Sequence, residues 1–144
     1  MVNLLIVDSQ PIMCIGLKQV VSENFPDWNV YLAKSIEEFD RMEKCPKPDM
    51  IVFGINMEEK KVDLNQIPGI QTKFKSSFLI IYGEFLNDRK IHTLFSSGIH
   101  GYISKKSDEY EFIQCLQTVM AGNTYKDVSS SDNLTRDSAR ICSD

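Results

Sequence analysis

The sequence lacks the features that mark several large classes of protein. No apolar run approaches the ~20 residues that a membrane-spanning helix needs, and no basic region precedes a signal-type apolar segment at the N-terminus. The four cysteines are scattered, with no CxxC pair and no histidine at metal-ligand spacing. Only two histidines occur, His92 and His100, and they are isolated from each other. These absences predict a cytoplasmic protein with reduced thiols, with no membrane association and no metal centre built on cysteine or histidine.

The chain also lacks an excess of basic residues. Its formal net charge is −4 at pH 7, whereas a domain that binds nucleic acid directly normally presents a basic face. The length of 144 residues and the 42% hydrophobic fraction are those of one ordinary globular domain. The composition therefore argues against direct DNA binding by this domain and favours a single folded unit.

Five short apolar runs alternate with helical patterns along the chain. The runs cover residues 2–7, 28–33, 50–54, 78–82 and 99–104. Strands that alternate with helices form parallel sheets with helices on both faces, joined by right-handed crossovers. We therefore predict a doubly wound α/β fold with five strands in the order 2-1-3-4-5.

Turn and capping residues predict where the helices begin and end. Proline at position 11 suits a first helical turn, and Asp8 or Ser9 lies where its cap would be. Later starts are expected at Ser35, at Asn87 or Asp88, and at Ser107. The Pro68-Gly69 pair predicts a third helix that is short or broken.

The third predicted strand is the most informative stretch. It is continuously apolar from Met50 to Phe53 and leads into a polar loop at Asn56, a pattern typical of a central parallel strand. In such sheets, ligands bind and reactions take place just beyond the carboxyl ends of the strands. The residue that ends this strand is Gly54, which has no side chain to offer.

Taken together, these motifs resemble a response-regulator receiver domain of the NarL/LuxR type. The resemblance covers residues 2–126 and rests on residues 4–11 followed by Gly16-Leu17, and on 48–49, 55–57, 97–105 and 121–125. It implies a flavodoxin-like receiver domain over residues 1–126. Residues 127–144 are then a flexible tail or a truncated linker, because Leu134-Thr135 resembles the opening of the helix-turn-helix domain that follows in this family.

The resemblance also implies a set of functional positions at the carboxyl ends of the strands. In the family, two adjacent acids hold Mg²⁺, an aspartate accepts a phosphoryl group, and a Ser or Thr and a Lys contact that group. Here the matching residues are Asp8 and Ser9 for the acids, Gly54 for the acceptor, Tyr82 for the Ser or Thr, and Lys105. Asn56 follows the acceptor position, and Tyr102 matches the family's switch aromatic.

The departures from the family pattern decide the predicted chemistry. Glycine offers no nucleophilic oxygen at the acceptor position. Asp8 alone remains of the carboxylates expected to hold Mg²⁺, so a cofactor is not expected and Asp8 is more simply a helix cap or an ion-pair partner of Lys105. Tyr82 either fills the vacated pocket or faces solvent, and Tyr102 is expected to pack rather than switch.

The resulting function hypothesis is a non-enzymatic pseudo-receiver that needs no phosphorylation. It would act by protein–protein association in transcription regulation, as a homodimer built on the first and fifth or the fourth and fifth helices. Candidate anchors are Phe95, Tyr110 and Phe112. A partner protein or a histidine kinase could also bind, and DNA would be reached only through a C-terminal domain absent from this chain.

Two alternatives remain open from the sequence. The vacated pocket of Asp8, Gly54, Tyr82 and Lys105 could bind a small molecule or an anion, since a lysine near the start of a helix suits an anion. A conventional phospho-receiver could instead use a displaced acid, either Asp49 or Glu84. Asp49 precedes the apolar strand, so we expect it at the opposite end of the sheet.

Overall fold

The computed structural model describes residues 1–43, 45–84 and 86–127. The strands are β1 Asn3–Val7, β2 Asn29–Ala33, β3 Met50–Ile55, β4 Phe78–Gly83, β5 Gly101–Ser104 and β6 Tyr125–Lys126. The helices are α1 Pro11–Asn24, α2 Ile36–Arg41, α3 Lys60–Lys73, α4 Asp88–Ser96 and α5 Glu109–Met120, and one 3₁₀ turn, Met57–Glu59, precedes α3. Within these described ranges, no helix combines the length and the apolar character needed to cross a membrane.

All the strands are parallel and form one sheet in the order β2-β1-β3-β4-β5-β6. The predicted doubly wound α/β fold and its order 2-1-3-4-5 are confirmed, but the predicted number of strands is one too few. The additional β6 forms because Tyr125 donates its N–H to the His100 carbonyl at 3.1 Å and Asp127 donates to the Tyr102 carbonyl at 2.9 Å. Two residues are too short to produce an alternating pattern in the sequence.

The sheet separates two apolar cores. Alternate residues of β3 point to opposite faces, so Phe53 packs with α2, α3 and α4 while Val52 packs with α1 and α5. Every residue of β3 is buried, as expected for a central strand. Cys14 and Cys115 lie buried in the second core as free thiols, Cys45 is a half-buried free thiol, and Cys142 lies outside the described residues.

The third helix contradicts the sequence prediction. Helix α3 runs without a break from Lys60 to Lys73 and contains Pro68. Proline removes one helical hydrogen bond and strains the preceding turn. Burial of Ile67 and Ile70 on either side of Pro68 opposes that cost, because both side chains are inserted in the core. Tertiary packing therefore prevails over the local breaker signal.

Two predicted helix caps are also corrected. The residue that caps α5 is Asp108 rather than Ser107, since the Asp108 carboxylate accepts the Glu111 N–H at 2.8 Å and the Glu111 carboxylate accepts the Asp108 N–H at 2.9 Å. This reciprocal pair is a complete capping box. At α1 the N-cap is Gln10, with no side-chain cap. The carboxylate of Asp8, which lies two residues before this N-cap, instead accepts the Gln10 N–H at 2.8 Å.

Candidate functional site

The candidate site lies at the carboxyl edge of the sheet, where parallel α/β folds place their ligands. Asp8 follows β1, Asn56 follows β3 and Lys105 follows β5. In the sheet order β1-β3-β4-β5, the carboxyl ends of these parallel strands lie along one edge, and Gly54 of β3 pairs with Tyr82 of β4. The sequence-predicted site residues therefore converge in space.

Three of these residues form a buried polar cluster. The Lys105 ammonium donates to Asp8 Oδ2 at 2.7 Å and to Asn56 Oδ1 at 2.5 Å. The Lys105 and Asp8 side chains are only 4% and 1% exposed. The expected ion pair between them is therefore present, in surroundings where water screens it little. We call Asp8, Asn56 and Lys105 the polar cluster.

The remaining atoms of the polar cluster are also hydrogen-bonded. Asp8 Oδ1 accepts from the Gln10 N–H at 2.8 Å and from Asn56 Nδ2 at 3.3 Å. The same Asn56 amide donates to the Ser9 hydroxyl at 2.9 Å. Ser9 is joined to the polar cluster through this hydrogen bond. A buried charge is tolerated when its hydrogen-bonding atoms are satisfied in this way. Asn56 therefore acts as a bridge between the acid and the base.

Gly54 explains why Asp8 can reach Lys105. A Cβ atom placed on Gly54 would lie 1.9 Å from Asp8 Oδ2 and 2.6 Å from Asp8 Cγ. Non-bonded heavy atoms pack at roughly 3.5–4.0 Å, so no side chain fits at position 54 unless Asp8 moves. The Asp8 carboxylate thus occupies the space into which a side chain at position 54 would extend. The idea that Tyr82 fills this space is wrong.

Tyr82 lies instead beside the polar cluster, on the face of α1 and α5. Its ring packs against Phe112 with the centroids 5.6 Å apart, and the Lys105 ammonium lies 5.5 Å from its ring centre. The residue is 6% exposed, so it does not face solvent either. Burial, together with the negative charges of Asp8 and Glu84, raises the pKa of Tyr82 to about 12. The phenol therefore remains protonated and is a hydrogen-bond donor.

Tyr102 lies on the opposite face of the sheet from Tyr82. It is buried in the core formed with α2, α3 and α4, and its ring lies 3.3 Å from where a Cβ on Gly83 would be. Burial, and then the charge of Asp127, raises its pKa to about 12. In this position the ring is an apolar packing element of the core.

Two buried acids near the site were not singled out from the sequence. Asp63 Oδ2 accepts the Asn56 N–H at 3.0 Å, and burial raises its pKa against the lowering effect of that bond. Asp127 accepts the Ser104 N–H at 2.9 Å and the Ser107 hydroxyl at 2.7 Å. It therefore bonds to the chain both before and after Lys105. Asp63 was hidden in a charged stretch that resembles a solvated loop. Asp127 lies one residue beyond the predicted boundary at Lys126, and residues 128–144 are outside the described residues.

A small cavity adjoins Asp8 and Gly54. Its volume is about 250 Å³, and acidic side chains dominate its lining. The charged residues that line it are Asp8, Lys34, Glu37, Glu59 and Asp63. In the part of the chain that the structure describes, no group of three or more His, Cys, Asp or Glu side chains is arranged to hold a metal ion. The expectation that Mg²⁺ is absent stays a prediction.

The two acids considered as alternative acceptors are both hydrogen-bonded to the backbone. Asp49 is at the amino edge of the sheet, as expected, and accepts the Asn3 N–H at 2.8 Å. Glu84 follows β4 and accepts the Met57 N–H at 2.9 Å. His100 is also remote, since its Nδ1 accepts the Leu79 N–H at 2.9 Å near the start of β4. These side chains are engaged in the support of the backbone.

Comparison with known proteins gives distant relatives. No protein-family model matches the chain. The oxygen regulatory protein NreC of Staphylococcus epidermidis is 21% identical over 137 residues, which are 94% of this chain and 62% of that protein. NreC of Staphylococcus aureus is 20% identical over 136 residues, with the same coverage. The chain thus spans less than two thirds of the length of the curated relatives that it matches.

Solved structures give a closer match in shape than in sequence. A LuxR family DNA-binding response regulator from Silicibacter pomeroyi superposes with a TM-score of 0.74 at 17% identity, over 90% of this chain and 98% of that one. The isolated REC domain of RcsB from Salmonella enterica serovar Typhimurium, in the presence of the phosphomimetic BeF3−, gives 0.72 at 19% identity, over 89% and 94%. This protein therefore has the flavodoxin-like fold of response-regulator receiver domains.

Proposed function

We propose that this chain is the receiver domain of a transcription regulator, and that it signals without accepting a phosphoryl group. The receiver fold and the similarity to regulators named NreC support the first part of the proposal. The geometry around Gly54 supports the second part. The protein is then a non-enzymatic signalling module in the cytoplasm, and no cofactor is needed for its action.

The position of the Asp8 carboxylate is the observation that carries the proposal. It lies 1.9 Å from the site of a Cβ on Gly54 and is paired with Lys105 at 2.7 Å. Phosphoryl transfer needs a nucleophilic oxygen in line with the incoming group, and glycine has none. Lys105, which would neutralise a phosphoryl group, is already neutralised by Asp8. The cluster therefore resembles a site that is closed by its own residues.

Association with another protein is the output that we propose for such a domain. A fixed conformation has no phosphorylation-dependent equilibrium to shift, so a binding surface would be presented constantly. Of the predicted anchors, Tyr110 is 68% exposed on α5, whereas Phe112 is buried and Phe95 is partly buried against the core. Tyr110 is thus the anchor that supports a homodimer surface, and tyrosine is enriched at such contacts. A partner protein or a kinase could use the same surface, and DNA would be contacted by a further domain.

Light scattering coupled to size-exclusion chromatography tests the proposal. The mass is measured with and without beryllofluoride and Mg²⁺, which together imitate a phosphorylated aspartate. We expect one mass that the additions do not change. A second arm treats the protein with acetyl phosphate and measures the intact mass, and we expect no phosphoryl adduct.

The Asp8→Asn variant, once circular dichroism shows that it is folded, is the control for both arms. If the wild-type protein responds to beryllofluoride and Asp8→Asn does not, Asp8 is either the acceptor or a Mg²⁺ ligand, and the proposal is wrong. A response that persists in Asp8→Asn would also contradict it and would identify another acid as the acceptor.

The alternative of an anion sensor in the vacated pocket has less support. The positive charge of Lys105 is matched by Asp8, and the adjoining cavity carries Glu37, Glu59 and Asp63. Their combined negative charge disfavours an incoming anion. We therefore propose association rather than anion binding as the function of this domain.

A further inference from the structure

A second and larger cavity lies beside the polar cluster, with Ser9 and Tyr82 in its lining. It occupies about 750 Å³ between the amino-terminal halves of α1 and α5, and its surface is mostly apolar. We call it the α1–α5 groove, formed by Met13, Gly16 and Leu17 of α1, Tyr82 of β4, Ser107, and Phe112 of α5. Pockets for small organic molecules are usually of roughly 300–1,000 Å³, mainly apolar, with a few placed polar groups. The groove meets that description in both size and character.

One wall of the groove is formed by a glycine in the middle of α1. Gly16 lies in the middle of α1, where glycine costs roughly 0.5–1 kcal/mol relative to alanine. A Cβ on Gly16 would meet no atom within 4 Å. Neither a close backbone approach nor an unusual turn therefore requires glycine here. Its effect on the structure is to leave the wall of the groove uncovered.

The Tyr82 hydroxyl provides the polar feature of the groove. Tyr82 is 6% exposed and lines the groove. Among the described residues its hydroxyl has one hydrogen-bond partner, the Met13 sulfur at 3.6 Å, and a thioether is a weak acceptor. A ligand that supplies an oxygen or nitrogen acceptor at this point would give the hydroxyl a stronger hydrogen-bond partner than the thioether.

The charges at the mouth of the groove restrict the ligand further. Asp108 and Glu109 lie on its α5 side, and no lysine or arginine is among the described residues that line it. An anionic ligand would be repelled by this mouth. Because the walls are mostly apolar, they favour a ligand whose own surface is mostly apolar and weakly hydrated.

We propose that the α1–α5 groove binds a neutral, mainly apolar small molecule that accepts a hydrogen bond from the Tyr82 hydroxyl. This site adjoins the polar cluster, since Ser9 and Tyr82 line it, and the inference holds whether or not the domain is independent of phosphorylation. It assigns a ligand-binding role to the face of α1 and α5, which is also one of the two faces on which a homodimer is expected.

Nile red is a suitable probe, because it is neutral, apolar and carries a carbonyl acceptor, and its fluorescence rises in apolar surroundings. The full chain is titrated with the dye, and we expect saturable binding with one dye per chain. Gly16→Trp should fill the groove and weaken binding at least about tenfold, which corresponds to roughly 1.4 kcal/mol. Tyr82→Phe should weaken it by about 2- to 13-fold, the range for one hydrogen bond of about 0.5–1.5 kcal/mol.

Gly69→Trp is the matched control. Gly69 is also a helical glycine at which an added Cβ would meet no atom within 4 Å, but it lies in α3, away from the groove. We expect unchanged dye binding in this variant. Thermal melts of all three variants establish that each is folded, and Gly16→Leu serves as a smaller replacement if Gly16→Trp is not.

Several outcomes would overturn the inference. Equal dye binding by wild type and Gly16→Trp would show that the dye is elsewhere, and unchanged affinity in Tyr82→Phe would remove the proposed hydrogen bond. If light scattering shows that the wild type is a dimer that Gly16→Trp dissociates, and the wild-type dimer does not bind the dye, the groove is a contact between two copies of the chain and not a ligand site.

Discussion

Removal of one partner from the buried Asp8–Lys105 pair should destabilise the protein far more than removal of both. Lys105→Met leaves the Asp8 carboxylate, 1% exposed, without its cation, and Asp8→Asn leaves the ammonium with the Asn56 carbonyl at 2.5 Å. In the double variant an amide faces a thioether of similar volume. The amide oxygen can still accept the Gln10 N–H that Asp8 accepts at 2.8 Å.

The magnitude follows from the burial of the pair. Loss of one partner of a buried ion pair costs about 3–5 kcal/mol, because an uncompensated charge stays in a poorly solvated place. Replacement of both partners by hydrophobic groups of similar volume is often neutral, and the double variant, which leaves no buried charge in the pair, should lose less than either single variant. The coupling free energy of the cycle should therefore be several kcal/mol. For a domain that is typically stable by about 5–15 kcal/mol, either single change is a large fraction of the total.

Urea unfolding at pH 7, followed by circular dichroism, measures all four corners of the cycle. The Lys73–Asp40 pair is the matched control, because both side chains are more than two fifths exposed, at 46% and 41%. Lys73→Met should cost less than about 1 kcal/mol, as is usual for surface pairs. A loss in Lys105→Met as small as that in Lys73→Met would refute the reasoning. So would a double variant whose loss equals the sum of the two single losses.

Two further predictions follow from Gly54 and His100. Gly54→Ala should lower the free energy of unfolding in a urea titration, because its Cβ would lie 1.9 Å from Asp8 Oδ2. Gly16→Ala has open space at its Cβ and should raise the free energy of unfolding by about 0.5–1 kcal/mol. Equal effects of the two substitutions would contradict the packing argument. Burial lowers the pKa of His100 below its usual 6.5, and its Nδ1 accepts the Leu79 N–H. The unfolded state therefore binds a proton at His100 more readily than the folded state does. The free energy of unfolding should then decrease as the pH falls below about 6.5. His100→Gln should reduce that acid loss in melts from about pH 7.5 to about pH 5, and an unchanged slope would show that other groups cause it.

The strands and their order could be predicted because the relevant signal is local. Each of the first five strands lies in a short, largely apolar run, and the alternation with helices permits few topologies. The prediction that α3 is short or broken was wrong because the contacts that decide it are not local. Pro68 is a local signal, but Ile67 and Ile70 contact residues distant in the sequence, and the sequence pattern does not measure that burial.

The site could be predicted as a set of residues but not as a geometry. Asp8 and Lys105 were expected to pair, and they do. The occupant of the space beside Gly54 was not predictable, because the choice between Asp8 and Tyr82 depends on the direction of each side chain. Tyr82 lies on the same face of the sheet but packs against Phe112, and the atoms nearest to a Cβ on Gly54 all belong to Asp8. Asp127 was missed because its contacts are with Ser104 and Ser107 on another segment of the chain.

The absence of a side chain at Gly54 and the presence of the polar cluster are one structural feature. Asp8 can approach Lys105 in this way only because Gly54 has no Cβ, so the vacated position is a filled one, in keeping with the dense packing of protein interiors. A ligand that entered there would first have to separate a buried pair, at a cost of about 3–5 kcal/mol. That cost would weaken its apparent affinity by roughly two to three and a half orders of magnitude. The α1–α5 groove is already open and carries no such cost, which is why a ligand should bind there first.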